Sequence, residues 1–229
     1  QHDLKTTLNS IMDEKQQSCF QQKRHLDCSY TLNDMARFRV NAYHEQHGIA
    51  LAFRPIPATA PSFEALGLNS VFKQLCERES GLILITGPTG CGKSSTLSAI
   101  IHHINQTQQK HIITIEDPIE FIYNSKRCLI NQRELGRDTL SFHDALRAAL
   151  REDPDIILIG EMRDIETIRL ALSAAETGHL VFATLHTNSA PKTIDRIVDA
   201  FPGEEKALMR TMLSESLTAV VTQKLLKRK

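Results

Sequence analysis

One short segment, Gly-Pro-Thr-Gly-Cys-Gly-Lys-Ser at positions 87–94, constrains this chain more than any other feature of its sequence. Its spacing, G-x-x-x-x-G-K-S, places a lysine and a hydroxyl directly after a glycine-rich turn. The apolar run 82–86 predicts a buried parallel strand before the turn, and 94–105 predicts a helix after it. Such a turn directs backbone N–H groups at an anion, and the helix N-terminus adds a positive field. The segment therefore predicts a phosphate-binding P-loop.

The chemistry of a P-loop assigns roles to its individual residues. Lys93 is expected to contact the β- and γ-phosphates of ATP, and the Ser94 hydroxyl is expected to hold Mg²⁺. Cys91 is interpreted as a small residue that fills a tight turn, with an oxidisable thiol as the alternative. The predicted phosphate-binding residues are Gly87, Pro88, Thr89, Gly90, Cys91, Gly92, Lys93, Ser94 and Ser95.

The composition argues against several other classes of protein. Lysine plus arginine and aspartate plus glutamate both number 27, so the net charge is zero and a general nucleic-acid binder is not expected. No apolar run approaches the roughly 20 residues of a membrane-spanning helix, and no signal peptide is recognisable. The five cysteines form no C-x-x-C pair, which favours a reducing cytoplasm over a disulfide framework or a zinc site.

The N-terminal quarter of the chain predicts a small α+β unit. Residues 4–20 predict one helix, and three short strands are predicted at 25–30, 37–43 and 50–53. Three prolines within 54–62 favour an extended backbone and lack N–H donors, so this stretch is interpreted as a linker. Because residue 1 is glutamine, the chain is expected to be a fragment.

From about residue 63 onward, strand and helix signals alternate, which is typical of a mostly parallel sheet covered by helices. Ser141 and Asp164 are expected to cap two of these helices, and a last helix is expected over about 204–225. The apolar runs that predict strands lie at 82–86, 112–115, 156–159 and 180–185.

Two acidic clusters, at 116–120 and 160–164, follow predicted strands. Ligands gather at the carboxyl ends of parallel strands, so both clusters are expected to open onto the phosphate site. The second is Walker-B-like, with Glu161 as the carboxylate on the metal side. Solvated acids in turns are the alternative. His186 follows another predicted strand and is a candidate sensor of the γ-phosphate, with an ordinary structural histidine as the alternative.

Longer runs around these residues resemble a known family. Residues 113–121, 149–164 and 175–188 resemble the aspartate box, Walker B and histidine box of the type II/type IV secretion ATPases. Residues 194–202 and 212–217 are similar to the PilT branch of that superfamily, the type IV pilus retraction (twitching motility) ATPases.

The resemblance implies a fold and an assembly. It implies an α/β, RecA-like P-loop ATPase core with a small N-terminal α+β domain of the PAS-like type, partly truncated. The implied domains are 1–57 for the incomplete PAS-like part, 58–65 for a linker and 66–229 for the ATPase part without its C-terminal end. It also implies a homo-hexamer that binds ATP between the two domains and completes each site with a neighbouring subunit.

The resemblance also implies roles for single residues. Glu120 resembles the catalytic carboxylate that orients water, with Glu116 as the next candidate. Glu161 resembles the Walker B acid that holds Mg²⁺ with Ser94, and His186 resembles the histidine near the γ-phosphate. Three arginines match positions that the family places close to the nucleotide, where they could act in trans, namely Arg37, Arg39 and Arg54. The alternative is that they are ordinary surface charges.

The function implied is an ATP-hydrolysing motor that powers pilus retraction and twitching motility. It would work in the cytoplasm at the bacterial inner membrane, through a platform protein of that membrane and without a transmembrane segment or a nucleic-acid partner. Pilus assembly, secretion or conjugation by the same type of motor is the first alternative. A nucleotide-gated scaffold without useful turnover is the second.

Overall fold

An antiparallel sheet preceded by two helices forms the N-terminal part of the computed structural model, which describes residues 2–33, 35–57 and 59–227. The strands lie in chain order, with the second strand in the middle. The elements are α1 (His2–Ile11), α2 (Glu14–Lys23), β1 (His25–Leu32), β2 (Ala36–Glu45) and β3 (Gly48–Ile56).

Two predictions for this part are wrong in detail. The single helix predicted over 4–20 is two helices, because Asp13 caps α2 and its carboxylate accepts the backbone N–H of Gln16. The linker predicted from residue 54 begins later, because β3 continues to Ile56. β3 is an edge strand, where the missing N–H of Pro55 is tolerated.

The predicted domain boundaries stay predictions. Helix α3 already begins at Phe63, inside the segment predicted as a linker, with Ser62 as its N-cap. Five positions of the predicted domains and linker lie outside the described residues, namely Gln1, Asp34, Ala58, Arg228 and Lys229.

The remainder of the chain alternates strands and helices, as the pattern predicts. Ser141 and Asp164 cap their helices, each accepting a backbone N–H three residues ahead. The elements are α3 (Phe63–Leu66), α4 (Ser70–Cys76), β4 (Gly81–Thr86), α5 (Lys93–Thr107), β5 (His111–Glu116), β6 (Leu129–Glu134), α6 (Phe142–Ala149), β7 (Ile156–Ile159), α7 (Ile165–Glu176), β8 (Leu180–Leu185), α8 (Ala190–Asp199), α9 (Lys206–Ser216) and β9 (Leu217–Thr222).

The strands of this part form one parallel sheet in the order β6-β5-β7-β8-β4-β9. Every residue of β4, β7 and β8 is buried, because these central strands carry apolar cores on both faces of the sheet. This explains why the central strands read as unbroken apolar runs in the sequence. The parallel α/β architecture is the predicted one, and it brings the carboxyl ends of β4, β5, β7 and β8 to one edge.

Two strands at the sheet edges were not predicted. The helix expected over 204–225 is wrong, since α9 ends at Ser216 and β9 then pairs with β4. The run Leu-Thr-Ala-Val-Val-Thr of β9 is rich in β-branched residues, which favour a strand once a partner is available. β6 has a polar, partly exposed sequence that lacks the apolar signal of the central strands.

Candidate active site

The glycine-rich segment connects β4 to α5, as the motif predicts. Gly87 and Gly92 have φ angles of 141° and 98°, and Gly92 is the N-cap of α5. A Cβ atom at Gly87 would lie 2.4 Å from the carbonyl oxygen of Gln223 and 2.6 Å from Sγ of Cys91. Cys91 is buried, so its side chain fills the space beside Gly87.

Lys93 is buried and folds back over the loop. Its Nζ donates to the carbonyl oxygens of Gly87, at 2.9 Å, and Pro88, at 3.2 Å. Nζ also lies 3.4 Å from Nδ1 of His186. The lysine ammonium can only donate, so Nδ1 of the histidine is the acceptor and its proton resides on Nε2. The lysine thus contacts both the loop and the end of β8.

Glu161 lies at the centre of a chain of polar and charged side chains. Its Oε1 lies 3.3 Å from Nε2 of His186, and its Oε2 lies 2.8 Å from Nη2 of Arg163. Arg163 reaches on to Asp117, with 3.4 Å between Nη1 and Oδ2. Burial alone would raise the pKa of Glu161, but the bond and charge of Arg163 and the neighbouring His186 outweigh it and lower that pKa. Glu161 is therefore an ionised carboxylate at neutral pH.

These side chains open into one cleft of about 560 Å³. The cleft lies at the carboxyl edge of the parallel sheet and is closed on another side by residues of β3. Of the residues predicted from the sequence, the cleft is lined by Thr89, Gly90, Gly92, Lys93, Ser94, Ser95, Glu116, Glu120, Glu161, His186, Arg39 and Arg54.

The two candidate bases occupy different surroundings in the cleft. Oε1 of Glu116, at the end of β5, accepts hydrogen bonds from Thr114, at 2.7 Å, and Gln132, at 3.2 Å. Desolvation raises the pKa of Glu116 to about 7, and these two hydrogen bonds only partly offset it. Glu120 lies in the irregular segment after β5, with a third of its side chain exposed, and its Oε1 is 3.7 Å from Nη1 of Arg39.

The three predicted arginines do not all lie in the cleft. Arg39 and Arg54, paired across β2 and β3, line the cleft, and Nε of Arg39 also donates to both carboxylate oxygens of Asp27 at 3.1 and 3.0 Å. Arg37 does not line it, because it lies two residues before Arg39, near the start of β2, where its Nη2 donates to Oγ of Ser29 at 2.9 Å. Burial lowers the pKa of Arg37, although the charge of Glu134 opposes the shift.

Sequence reasoning missed some residues of the cleft. Arg163 and Asp117 lie in the acidic clusters 160–164 and 116–120, but their ion pair depends on the adjacency of β5 and β7. Gln132 was missed because β6 was missed. Within the described ranges, no three or more His, Cys, Asp or Glu side chains converge as a metal site. No helix in the described part of the chain has both the length and the apolarity to cross a bilayer.

Known proteins are similar to this chain in sequence. The chain is 59% identical over 218 residues to the type IV pilus retraction ATPase PilT of Pseudomonas aeruginosa, covering 95% of this chain and 63% of that protein. It is 59% identical over 220 residues to a twitching motility protein of Neisseria gonorrhoeae, covering 96% of this chain and 59% of that protein. The chain therefore spans about three fifths of the length of these relatives.

A solved structure has the same fold. The crystal structure of the pilus retraction motor PilT with bound ADP superposes with a TM-score of 0.92 at 51% identity, covering 98% of this chain and 65% of that one. This agreement confirms the predicted combination of a RecA-like parallel sheet with a small N-terminal α+β part. The model of the family described as type II/IV secretion system protein matches residues 22–229. The chain belongs to this family.

Proposed function

We propose that this chain is the ATP-hydrolysing part of a motor that retracts type IV pili. The observation that carries the proposal is the contact chain Lys93–His186–Glu161, which brings P-loop, histidine and Walker B acid into one cleft. The two 59% identical relatives are named a pilus retraction ATPase and a twitching motility protein, and these names support the proposal that the motor acts on type IV pili. The ADP bound in the solved retraction motor supports the proposal that this chain binds an adenine nucleotide.

The loop residues suit a triphosphate. Backbone N–H groups of the first turn of α5 have no acceptor within the helix, and Lys93 can exchange its two carbonyl contacts for phosphate oxygens. Ser94 and Glu161 supply a hydroxyl and an ionised carboxylate, the oxygen ligands that Mg²⁺ prefers, so the residues present fit this ion. When bound, Mg²⁺ would neutralise charge on the phosphates.

We propose Glu120 as the carboxylate that orients the attacking water. Oε1 of Glu116 already accepts two hydrogen bonds, and a pKa of about 7 leaves this residue protonated in roughly half of the molecules at pH 7. Glu120 is more accessible, and its ion contact with Arg39 is long. An acceptor that is free to receive a proton from water is the better choice for this role.

The experiment compares Glu120→Gln with Glu116→Gln in Mg²⁺-dependent ATP hydrolysis and in nucleotide binding. Glu120→Gln should bind ATP normally and lose turnover, whereas Glu116→Gln should retain it. Normal turnover of the Glu120→Gln protein contradicts the assignment, and Glu116 then becomes the base. Binding of ATP without turnover in the unsubstituted full chain favours the scaffold alternative.

We also propose that the motor is a homo-hexamer whose sites are completed by neighbouring subunits. Activity per chain should then rise with protein concentration, in step with the fraction of hexamer measured by light scattering. If Arg39 and Arg54 serve a neighbouring site as well as line their own, either alanine variant should abolish that rise. A flat but real activity contradicts subunit-shared sites and, with them, the proposed role in trans.

The cellular proposal is retraction at the cytoplasmic face of the inner membrane, through a platform protein there. A deletion strain should keep its surface pili and lose twitching motility. Loss of surface pili in that strain contradicts retraction and favours an assembly motor. Crosslinking of the intact protein in cells should capture an inner-membrane protein, and recovery of only hexamer crosslinks contradicts that partner.

A further inference from the structure

The segment that carries Glu120 has no regular structure of its own. Residues 117–123 run between β5 and β6 without helix or strand, so no backbone ladder fixes their path. A carboxylate that orients water must nevertheless be held in one position, since a displacement of about 1 Å can cost a reaction about 100-fold in rate. Something other than secondary structure therefore has to hold Glu120.

Two side chains of β6 hold this segment on either side of Glu120. Oε2 of Glu134 accepts the backbone N–H of Ile119 at 3.0 Å. Nε2 of Gln132 donates to the carbonyl oxygen of Phe121 at 2.8 Å, and its Oε1 accepts the backbone N–H of Tyr123 at 2.9 Å. Residues two apart on a strand share a face, so one edge strand supplies both contacts.

Glu134 also connects this segment to the N-terminal sheet. The oxygen that accepts Ile119 N–H accepts the hydroxyl of Ser29, on β1, at 3.0 Å. Oγ of Ser29 in turn accepts Nη2 of Arg37, on β2, at 2.9 Å. Glu134 is 3% exposed, so its carboxylate depends on these donors for compensation.

Arg37 is the buried positive charge of this group. Among the described residues, its Nε and Nη1 are buried without a hydrogen-bond partner, so the guanidinium is held by Ser29 and by the nearby charge of Glu134. A shift of the N-terminal sheet would move Ser29 and Arg37 together, because their strands are paired. The carboxylate they contact would have to follow or lose them.

We propose that Glu134 is a positioning residue for ATP hydrolysis, which holds Glu120 through Ile119 and makes its position depend on Ser29 and Arg37 of the N-terminal sheet. The inference rests on the proposed function, in which Glu120 orients water. In this proposal β6 supports the irregular segment 117–123, and Arg37 contributes to the position of Glu120 from outside the cleft.

The contacts predict which kinetic constant changes. None of the hydrogen bonds of Glu134 reaches the P-loop, so its loss should lower kcat while the ATP dissociation constant stays nearly constant. In Glu134→Gln an amide oxygen can still accept Ile119 N–H, so much of kcat should return. Ser29→Ala leaves the bond to Ile119 intact and removes the connection to the N-terminal sheet, so its loss of kcat should be smaller than that of Glu134→Ala.

The experiment measures kcat, ATP affinity and hydrogen exchange of residues 117–123 in the full chain. We expect Glu134→Ala to lower kcat at least about tenfold, with affinity within about twofold, and to speed exchange in 117–123 but not in β5. The matched control is Arg133→Ala on the opposite face of β6, where Arg133 contacts Glu152. It should change none of the three quantities.

The outcomes separate this inference from the proposed function. Unchanged exchange in 117–123 of Glu134→Ala overturns the inference, whatever Glu120→Gln does. An equal loss of kcat and ATP affinity, unrelieved by Glu134→Gln, also overturns it, because that pattern indicates general damage to the fold. Normal turnover of Glu120→Gln overturns the assignment of the base, while faster exchange in Glu134→Ala would still show that Glu134 holds the segment.

Discussion

Nζ of Lys93 lies 3.4 Å from Nδ1 of His186, so the histidine after β8 contacts the lysine of the P-loop directly. The other ring nitrogen of His186 faces Glu161 at 3.3 Å. The imidazole of His186 therefore contacts both Lys93, the residue expected at the phosphates, and Glu161, the residue expected on the metal side. Each ring nitrogen has a different role here, acceptor from the lysine and donor to the carboxylate.

His186→Ala should lower kcat about tenfold or more, because an interaction worth about 1.4 kcal/mol in the transition state is a factor of ten in rate. His186→Gln should retain more activity, since an amide can accept from Lys93 and donate to Glu161. Steady-state ATP hydrolysis and nucleotide titration measure the two effects. His179→Gln is the control, because His179 precedes β8 at the opposite end of the strand. An unaltered kcat in His186→Ala contradicts the prediction.

Arg163 should compete with Mg²⁺ for Glu161. Its Nη2 lies 2.8 Å from the carboxylate, and its side chain is 58% exposed, so the pair is worth about 0–1 kcal/mol. Arg163→Gln should therefore lower the Mg²⁺ concentration for half-maximal ATP hydrolysis by about two- to fivefold. Arg163→Lys keeps the positive charge and serves as the control. A higher Mg²⁺ requirement in Arg163→Gln would instead make Arg163 part of the binding site.

Glu116 should make the protein less stable as the pH rises. The pKa of Glu116 is about 7 in the folded protein, against an ordinary value of 4.5. Between these values the folded protein binds more protons than the unfolded chain, so the free energy of unfolding falls from about pH 4.5 to about pH 7. The effect is at most about 3 kcal/mol at pH 8.

Glu116→Gln removes this titration, so the substituted protein should be more stable than the unsubstituted one at pH 8 and differ little at pH 4.5. The melting temperature at pH 8 should rise by up to about 6–12 °C, at about 2–4 °C per kcal/mol. Glu204→Gln, at an exposed position, is the control. A melting temperature that falls at pH 8 would mean that the hydrogen bonds from Thr114 and Gln132 outweigh the desolvation.

The central part of the fold follows from the sequence because it is coded locally. β4, β7 and β8 are wholly buried, so each is an unbroken apolar run, and the helix caps at Ser141 and Asp164 depend on neighbours three residues away. Edge strands lack this signal. β6 is polar and half-exposed, and β9 becomes a strand only because β4 is there to pair with it.

The candidate site, like the fold, has one part that the sequence predicts and another that it does not. The P-loop, Glu161 and His186 follow predicted strands, so their convergence was predictable from the sheet alone. The role of Glu134 was not, because its partners Ser29 and Ile119 are 105 and 15 residues away in the sequence. For the same reason the sequence does not distinguish the role of Arg37 from that of Arg39. The two arginines differ in the side chains that each of them contacts in the fold.

The strand missed at the C-terminal end gives the last prediction, because the residue that follows β9 supports the P-loop from behind. The backbone N–H of Gln223 donates to the carbonyl oxygen of Thr86 at 2.8 Å, and its Nε2 donates to Oγ1 of Thr96 at 2.8 Å. Thr96 is 2% exposed and lies in the first turn of α5.

Either Thr96→Val or Gln223→Met alone leaves one polar partner unsatisfied, which costs about 1–2 kcal/mol. The double variant removes both partners and should cost less than the sum of the single variants by at least about 0.5 kcal/mol. Urea unfolding of the four proteins measures this coupling. Strict additivity would mean that the hydrogen bond does not anchor the end of β9 to α5.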